Sequence, residues 1–356
     1  MKLHLDEMAL ARAYNASMDF EGLTDEQMLK VMSRGRVLFH WFRAHRAIHY
    51  AISTAVLLLL FGADFWAQIT LPYWLLGPDL RPGHSTGVRV GAAIAAGAIH
   101  SWLLYSLGVF SMHEGAAHRI IYPPHGPISR ACHWVSANLC RIAASEPKQY
   151  STHHMIHHSK FGSDEDAEFL NFVKPRRYWL TFLPLAFDVN YSDFIVHRPL
   201  AWTRDRLMSA FWSVPYNGLY AWYAWTHFGP LFTIVAYGVM LPHVGFLVDR
   251  VRQFTEHNLM PLDNKNGSRS FGFGFWGLLV GGGPWGSPCH WEHHLVPSLP
   301  WYQQLIVHRY LVSLLTPTQR RQFLLEPVIG FPRLWCSLVR DTKRFANDAS
   351  SHPGPA

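Results

Sequence analysis

The stretch VGAAIAAGAIHSWLLYSLGVFSMHEGAAH, Val90 to His118, decides the fold. Its first 23 residues, Val90–Met112, contain no Asp, Glu, Lys or Arg. About 20 apolar residues cross a bilayer as a helix, so this part reads as a membrane span. It runs without a break into His113-Glu-Gly-Ala-Ala-His118, a pair of imidazoles five positions apart. Membrane anchorage and candidate chemistry thus lie on one continuous segment.

Upstream, the only charged residue within Ala47–Pro78 is Asp64. This gives a span at about 48–72 followed by an interfacial tail. Asp64 is placed near the far interface or in a cavity, in a structural rather than a catalytic role. Downstream, Leu207–Val248 holds 42 uncharged residues. That is about 63 Å of helix against a hydrocarbon core of ~30 Å. The segment must fold back on itself, giving spans at about 207–226 and 229–248 with a hinge at Thr226-His-Phe-Gly-Pro230. Pro215 and Pro242 are expected to kink them. Lys and Arg number seven in 1–46, eleven in 113–206 and eleven in 250–356, which is 29 of the 31. Four spans put those three segments on one side, the cytosolic one by the positive-inside rule.

The expected fold is therefore all-α and integral to the membrane. Four transmembrane helices carry a cytosolic helical cap. Residues 1–46 form a cytosolic N-terminal segment, 47–315 the membrane domain and 316–356 a cytosolic C-terminal tail. Charged residues make up 15% of the chain, against about 25% in soluble domains. The net charge of +7 suits a surface facing anionic lipid. No basic run interleaved with aromatics points to nucleic acid. The four cysteines, Cys132, Cys140, Cys289 and Cys336, form no CxxC and read as reduced thiols. The first apolar run starts only at Ala47, so no signal peptide is expected. Arg176–His197 reads as interfacial, Phe271–Pro288 as re-entrant or cavity-lining, and 346–356 as a disordered tail.

Two further clusters join the first: His154-Met-Ile-His157-His158 and His290-Trp-Glu-His293-His294. Positions i, i+3 and i+4 share a helix face, so each HxxHH aims three imidazoles at one point, and His153 points elsewhere. His113 and His118 are ~140° apart on a regular helix. Both can ligate only if the helix ends or bulges between them, and Pro123-Pro124 makes an ending plausible. His257, at the cytosolic mouth of the fourth span, is a ninth candidate. Gln253, one turn earlier, would hold a water or orient His257. Glu114, Glu256 and Glu292 adjoin these histidines and are expected to accept from imidazole N–H. Nine neutral nitrogens are too many for one tetrahedral zinc. Shared between two iron ions they leave room for oxygen, so a redox reaction with O2 as co-substrate is implied.

At these residues the chain resembles the membrane fatty acid desaturase family over roughly residues 47–315, and HWEHHLVPSLPWYQQL is similar to the segment around that family's third histidine box. The resemblance implies a membrane desaturase-like domain in which His113, His118, His154, His157, His158, His257, His290, His293 and His294 bind two Fe ions. It implies a fatty acyl or similar lipid substrate. No fused cytochrome b5 domain is visible, so electrons would come from a separate ferredoxin, rubredoxin or cytochrome b5-like donor. A hydroxylase, ketolase or acetylenase would use the same irons, and a membrane metal-binding or transport protein is the alternative of another class.

Overall fold

The computed structural model describes residues 20–77, 84–122, 126–163, 165–166 and 203–324, and near the C-terminus 332–334, 336–337 and 339–341. The stretch Arg176–His197, the Pro123-Pro124 pair and the tail 346–356 lie outside the described residues. Among those residues the regular structure is helical, apart from an isolated bridge between Ser270 and Leu324. The chain falls into two compact units, one made of 45–151 with 181–249 and the other of 1–44 with 152–180 and 250–356.

The first unit holds the long apolar helices. Among the described residues the first two helices are α1, Asp25–Ala44, in the other unit, and α2, Arg46–Ile69. Thr70 and Pro72 end α2 and begin the short α3, Leu71–Leu76. The next helix, α4, covers Thr86–Val109 and starts where the Ser85 hydroxyl accepts from the Val88 N–H. It continues without a break as a π-helix over Phe110–Ala117. After α5 (Pro127–Leu139) and α6 (Pro147–Lys160) comes α7, Arg204–Phe228, with Pro215 inside it. The hinge foreseen at 226–230 is Gly229-Pro230, where α8 (Pro230–Thr233) begins. A second π-helix, Ile234–Met240, leads into α9, Leu241–His257.

Three of these stretches are long and apolar enough to cross a membrane: 46–76, 86–117 and 230–257, with mean hydropathy 1.6, 1.5 and 1.9. The chain is a membrane protein. The remaining segment expected to cross lies in α7, which has the length, 25 residues. Its apolar residues are diluted by Ser209, Ser213, Tyr216 and Asn217. Small residues let α4 approach the second π-helix: a Cβ on Gly97 would lie 2.6 Å from the Ala236 carbonyl oxygen. Close backbone approach through small side chains is how helices pack in lipid.

In the second unit, α1 buries Val31, Gly35, Leu38 and Phe42 along one stripe. It packs with α12 (Trp301–Leu314), and Gln303 Nε2 donates to the Leu38 carbonyl at 3.0 Å. The core includes Trp291, Leu299, Val307, Leu311 and Phe323. Within Phe271–Pro288 the chain makes α10, Phe275–Val280, while the N–H groups of Phe271 and Gly272 both donate to the Pro288 carbonyl. That folded loop delivers the chain to α11, His290–Leu295. Helix α13, Pro317–Phe323, is held by a Thr316–Gln319 capping box.

Candidate metal centre

Seven histidines come together in the second unit. Helix α6 presents His154 and His157, both buried, and His158, half-buried, from one face. His257 ends α9. Helix α11 is six residues long and could not stand alone in water. Its own Trp291 pins it: the indole stacks on Phe323 with centroids 3.8 Å apart and donates to the Lys265 carbonyl at 2.9 Å. The Trp291 N–H also donates to Ser270 Oγ. With Trp291 turned into the core, His290, His293 and His294, at i, i+3 and i+4, share another face of this short helix.

His157, His257, His290 and His294 each offer a ring nitrogen, and these nitrogens all lie within 4.8 Å of one another. All four residues are buried. His290 Nε2 is 2.8 Å from His257 Nε2 and 3.1 Å from His294 Nε2. A second knot adjoins it: His158 Nε2 is 3.0 Å from His154 Nε2 and 2.8 Å from His293 Nε2. Which nitrogens carry hydrogen follows from their other contacts. His157 Nδ1 lies 3.0 and 3.1 Å from the two carboxylate oxygens of Asp166, and His257 Nδ1 lies 3.0 Å from the Gly267 carbonyl oxygen. Those partners only accept, so each Nδ1 donates and each Nε2 presents a lone pair. Lone pairs gathered at this spacing repel unless a cation sits among them. Burial first, then the imidazoles of His158 and His290, hold His294 well below the ordinary value, keeping it neutral as a ligand must be. The donor set fits a nitrogen-ligated metal ion such as iron.

In the first unit, His113 and His118 are also brought together. The π-helix supplies the bulge that the spacing demanded: its i to i+5 bonding includes His118 N–H to the His113 carbonyl at 3.0 Å. The two ring centroids are 4.8 Å apart. The helix ends at Ala117, so bulge and ending coincide.

The acidic neighbours divide. Glu114 Oε1 lies 3.1 Å from His113 Nδ1. Glu256 accepts from Arg252 at 2.7 Å and Ser287 at 3.2 Å, with His290 Nε2 at 3.6 Å, beyond hydrogen-bond range. Glu292 accepts from His308 Nδ1 at 2.8 Å and from Ser270 Oγ. Its charge raises His308 despite burial, while burial and the same carboxylate raise the Cys289 thiol, which stays protonated. Gln253 is half-buried one turn before His257. Asp166 and Gly267 escaped the sequence reading. Each sits about ten residues past its histidine in a loop, where no spacing rule marks it. Gly267 has one trace: a Cβ there would meet Phe161 at 2.2 Å, so only glycine lets its carbonyl reach His257.

A family model described as fatty acid desaturase matches residues 90–323. Among curated proteins nothing matches the chain. The matched segment covers most of the sequence and includes every histidine discussed above, and the chain belongs to the fatty acid desaturase family.

Proposed function

We propose that this lipid-chain oxidoreductase is an O2-dependent desaturase working through two irons. The observation that carries the reading is the buried convergence of His157, His257, His290 and His294. In the proposal these four hold one iron, and His113, His118, His154, His158 and His293 serve the other, following the family's three-box pattern. Two bound irons supply redox activation of O2, which protein acids and bases lack. The protein's own part is placement. Asp166 and Gly267 fix the hydrogen on Nδ1 and turn Nε2 inward. Burial keeps water from the centre. The net reaction converts a CH2–CH2 unit, O2, two electrons and two protons to CH=CH and two waters. Electrons come from a separate ferredoxin, rubredoxin or cytochrome b5-like donor.

Chain parity supports a fourth crossing. Residues 20–44, 152–166 and 250–324 pack in one compact unit, so they share one side of the membrane. Spans 46–76 and 86–117 return the chain to its starting side. Between 166 and 257 a lone crossing at 230–257 would strand the last segment, and α7, 25 residues long, is the described helix with the length to supply the second crossing in this proposal. The basic-residue count makes the shared side cytosolic.

Product analysis tests the reaction. Membranes containing the iron-loaded protein, reductant and O2 should yield lipid lighter by two hydrogens. A gain of one oxygen identifies a hydroxylase instead, and iron binding without O2 consumption identifies a metal-binding protein.

A further inference from the structure

A second polar cluster lies inside the membrane-spanning helices, around His100 on α4. His100 is fully buried, and its Nδ1 lies 2.6 Å from Asp64 Oδ1 on α2. Its Nε2 lies 3.1 Å from Asn217 Oδ1 on α7. Asn217 Nδ2 donates to the carbonyls of Ile142 and Ser213, which fixes the amide with its oxygen toward the ring. The Tyr216 hydroxyl donates to the other Asp64 oxygen at 2.5 Å. One turn beyond Asp64, Gln68 accepts at Oε1 from the Tyr237 hydroxyl, and the Tyr237 ring packs 5.8 Å from that of His100. A hydrogen-bonded network around Asp64 and His100 and the Gln68–Tyr237 pair therefore lie side by side, joined by the packing of the Tyr237 and His100 rings.

Every polar group in this set is matched but one. Gln68 is only 3% exposed, and its Nε2 has no hydrogen-bond partner among the described residues. Turning the amide over exchanges one lone atom for the other, so either way a polar atom is left over. A buried carboxylate and imidazole inside a bilayer are costly and mark function by default. A leftover donor beside them is costly too, unless a ligand reaches it. The cluster and the first histidine box lie on the same helix. His100 and His113 are thirteen positions apart in sequence, roughly 20 Å at helical rise. A lipid chain of common length covers that distance.

We infer that the Asp64–His100–Gln68–Tyr237 cluster is a binding site for an uncharged oxygen, hydroxyl or carbonyl, borne by the distal end of the lipid substrate. The inference rests on the reading of the chain as a lipid-chain oxidoreductase and narrows its substrate class. An oxygen at that end accepts from Gln68 Nε2. A carboxylate would meet Asp64, and a plain methyl end would leave the amide unmatched.

The test compares two probes, methyl palmitate and its ω-hydroxy derivative, bound to the purified full-length protein and read by calorimetry. The ω-hydroxy ester should bind at least tenfold more tightly. Gln68→Leu should erase that preference while leaving methyl palmitate affinity within twofold, and Gln68→Met, of matching length, should behave alike if Leu fails to fold. Equal binding of the two esters by the unaltered protein overturns the site. So does a preference that survives Gln68→Leu, which would make the cluster a clasp between helices. Iron content and O2 consumption of the same preparation report on the oxidoreductase reading separately, so the failure of one is not mistaken for failure of the other.

Discussion

A histidine becomes a metal ligand only when its other nitrogen is spoken for. His157→Ala or His293→Ala should abolish turnover and lower bound iron while the protein still inserts; full activity in either would refute the assignment. Asp166→Ala removes the acceptor that orients His157, and the loss of such a partner costs 10–100-fold in metal affinity. Iron retained against a chelator should fall accordingly, with Asp166→Asn intermediate because an acceptor remains. Unchanged retention in Asp166→Ala would mean that the ring is oriented by something else. The metal-free protein should also carry a pH signature. His294 is held below its ordinary value near 6.5, so the unfolded chain binds more protons and stability falls as pH drops below about 6.5. His308 is raised by Glu292, so its contribution is complete below that value and is lost as pH climbs through its folded value. Melting temperature should therefore peak near the imidazole range, and His308→Gln should flatten only the alkaline limb. The histidines themselves were legible because i, i+3, i+4 is a helical signature. Asp166 was not, since loop closure brings it to His157.

Among elements, the spacing of the first box posed a contradiction that only a widened helix resolves. Sequence could say that His113 and His118 need a bulge or an end. It could not say that residues 110–117 form a π-helix, because that depends on how α4 is held along its length. The hinge at Gly229-Pro230 was readable, because Pro cannot continue the hydrogen bonding of α7. Packing between elements is testable at Gly97. A leucine there would push α4 off the Ala236 backbone, and overpacking of this kind costs typically 1–3 kcal/mol. The detergent-solubilised Gly97→Leu protein should melt well below the unaltered one. Gly62→Ala, on α2 with nothing within 4 Å of its added Cβ, is the control and should melt with it. If Gly97→Leu is neutral, the two helices are not in close contact.

For the whole molecule, the decisive quantity is the number of crossings. The asymmetry of 29 basic residues against two was visible in the sequence, as was the uncharged run that makes α7 a proposed crossing; its polar side chains keep α7 out of the set of helices apolar enough to cross by composition. Ser209, Tyr216 and Asn217 bond inward to Arg141, Asp64 and His100, so a helix that looks too polar for lipid turns its polar groups away from it. Its outward side carries Phe211, Val214, Leu219, Trp222 and Trp225, all exposed. That distribution suits the proposed crossing, since a helix can enter a bilayer with its polar groups turned into a bundle. Two positions separate the alternatives. His227 is exposed at the hinge between α7 and α8, and Cys336 is exposed near the C-terminus. With four crossings, His227→Cys reacts with a membrane-impermeant maleimide in intact cells, whereas Cys336 reacts only after permeabilisation. With three crossings the pattern reverses at both sites, because the hinge stays inside and the C-terminal segment is carried out. That reversal would also separate residues 250–324 from 20–44, undoing the compact unit that holds the third histidine box, so a single labelling experiment bears on the topology and the centre together.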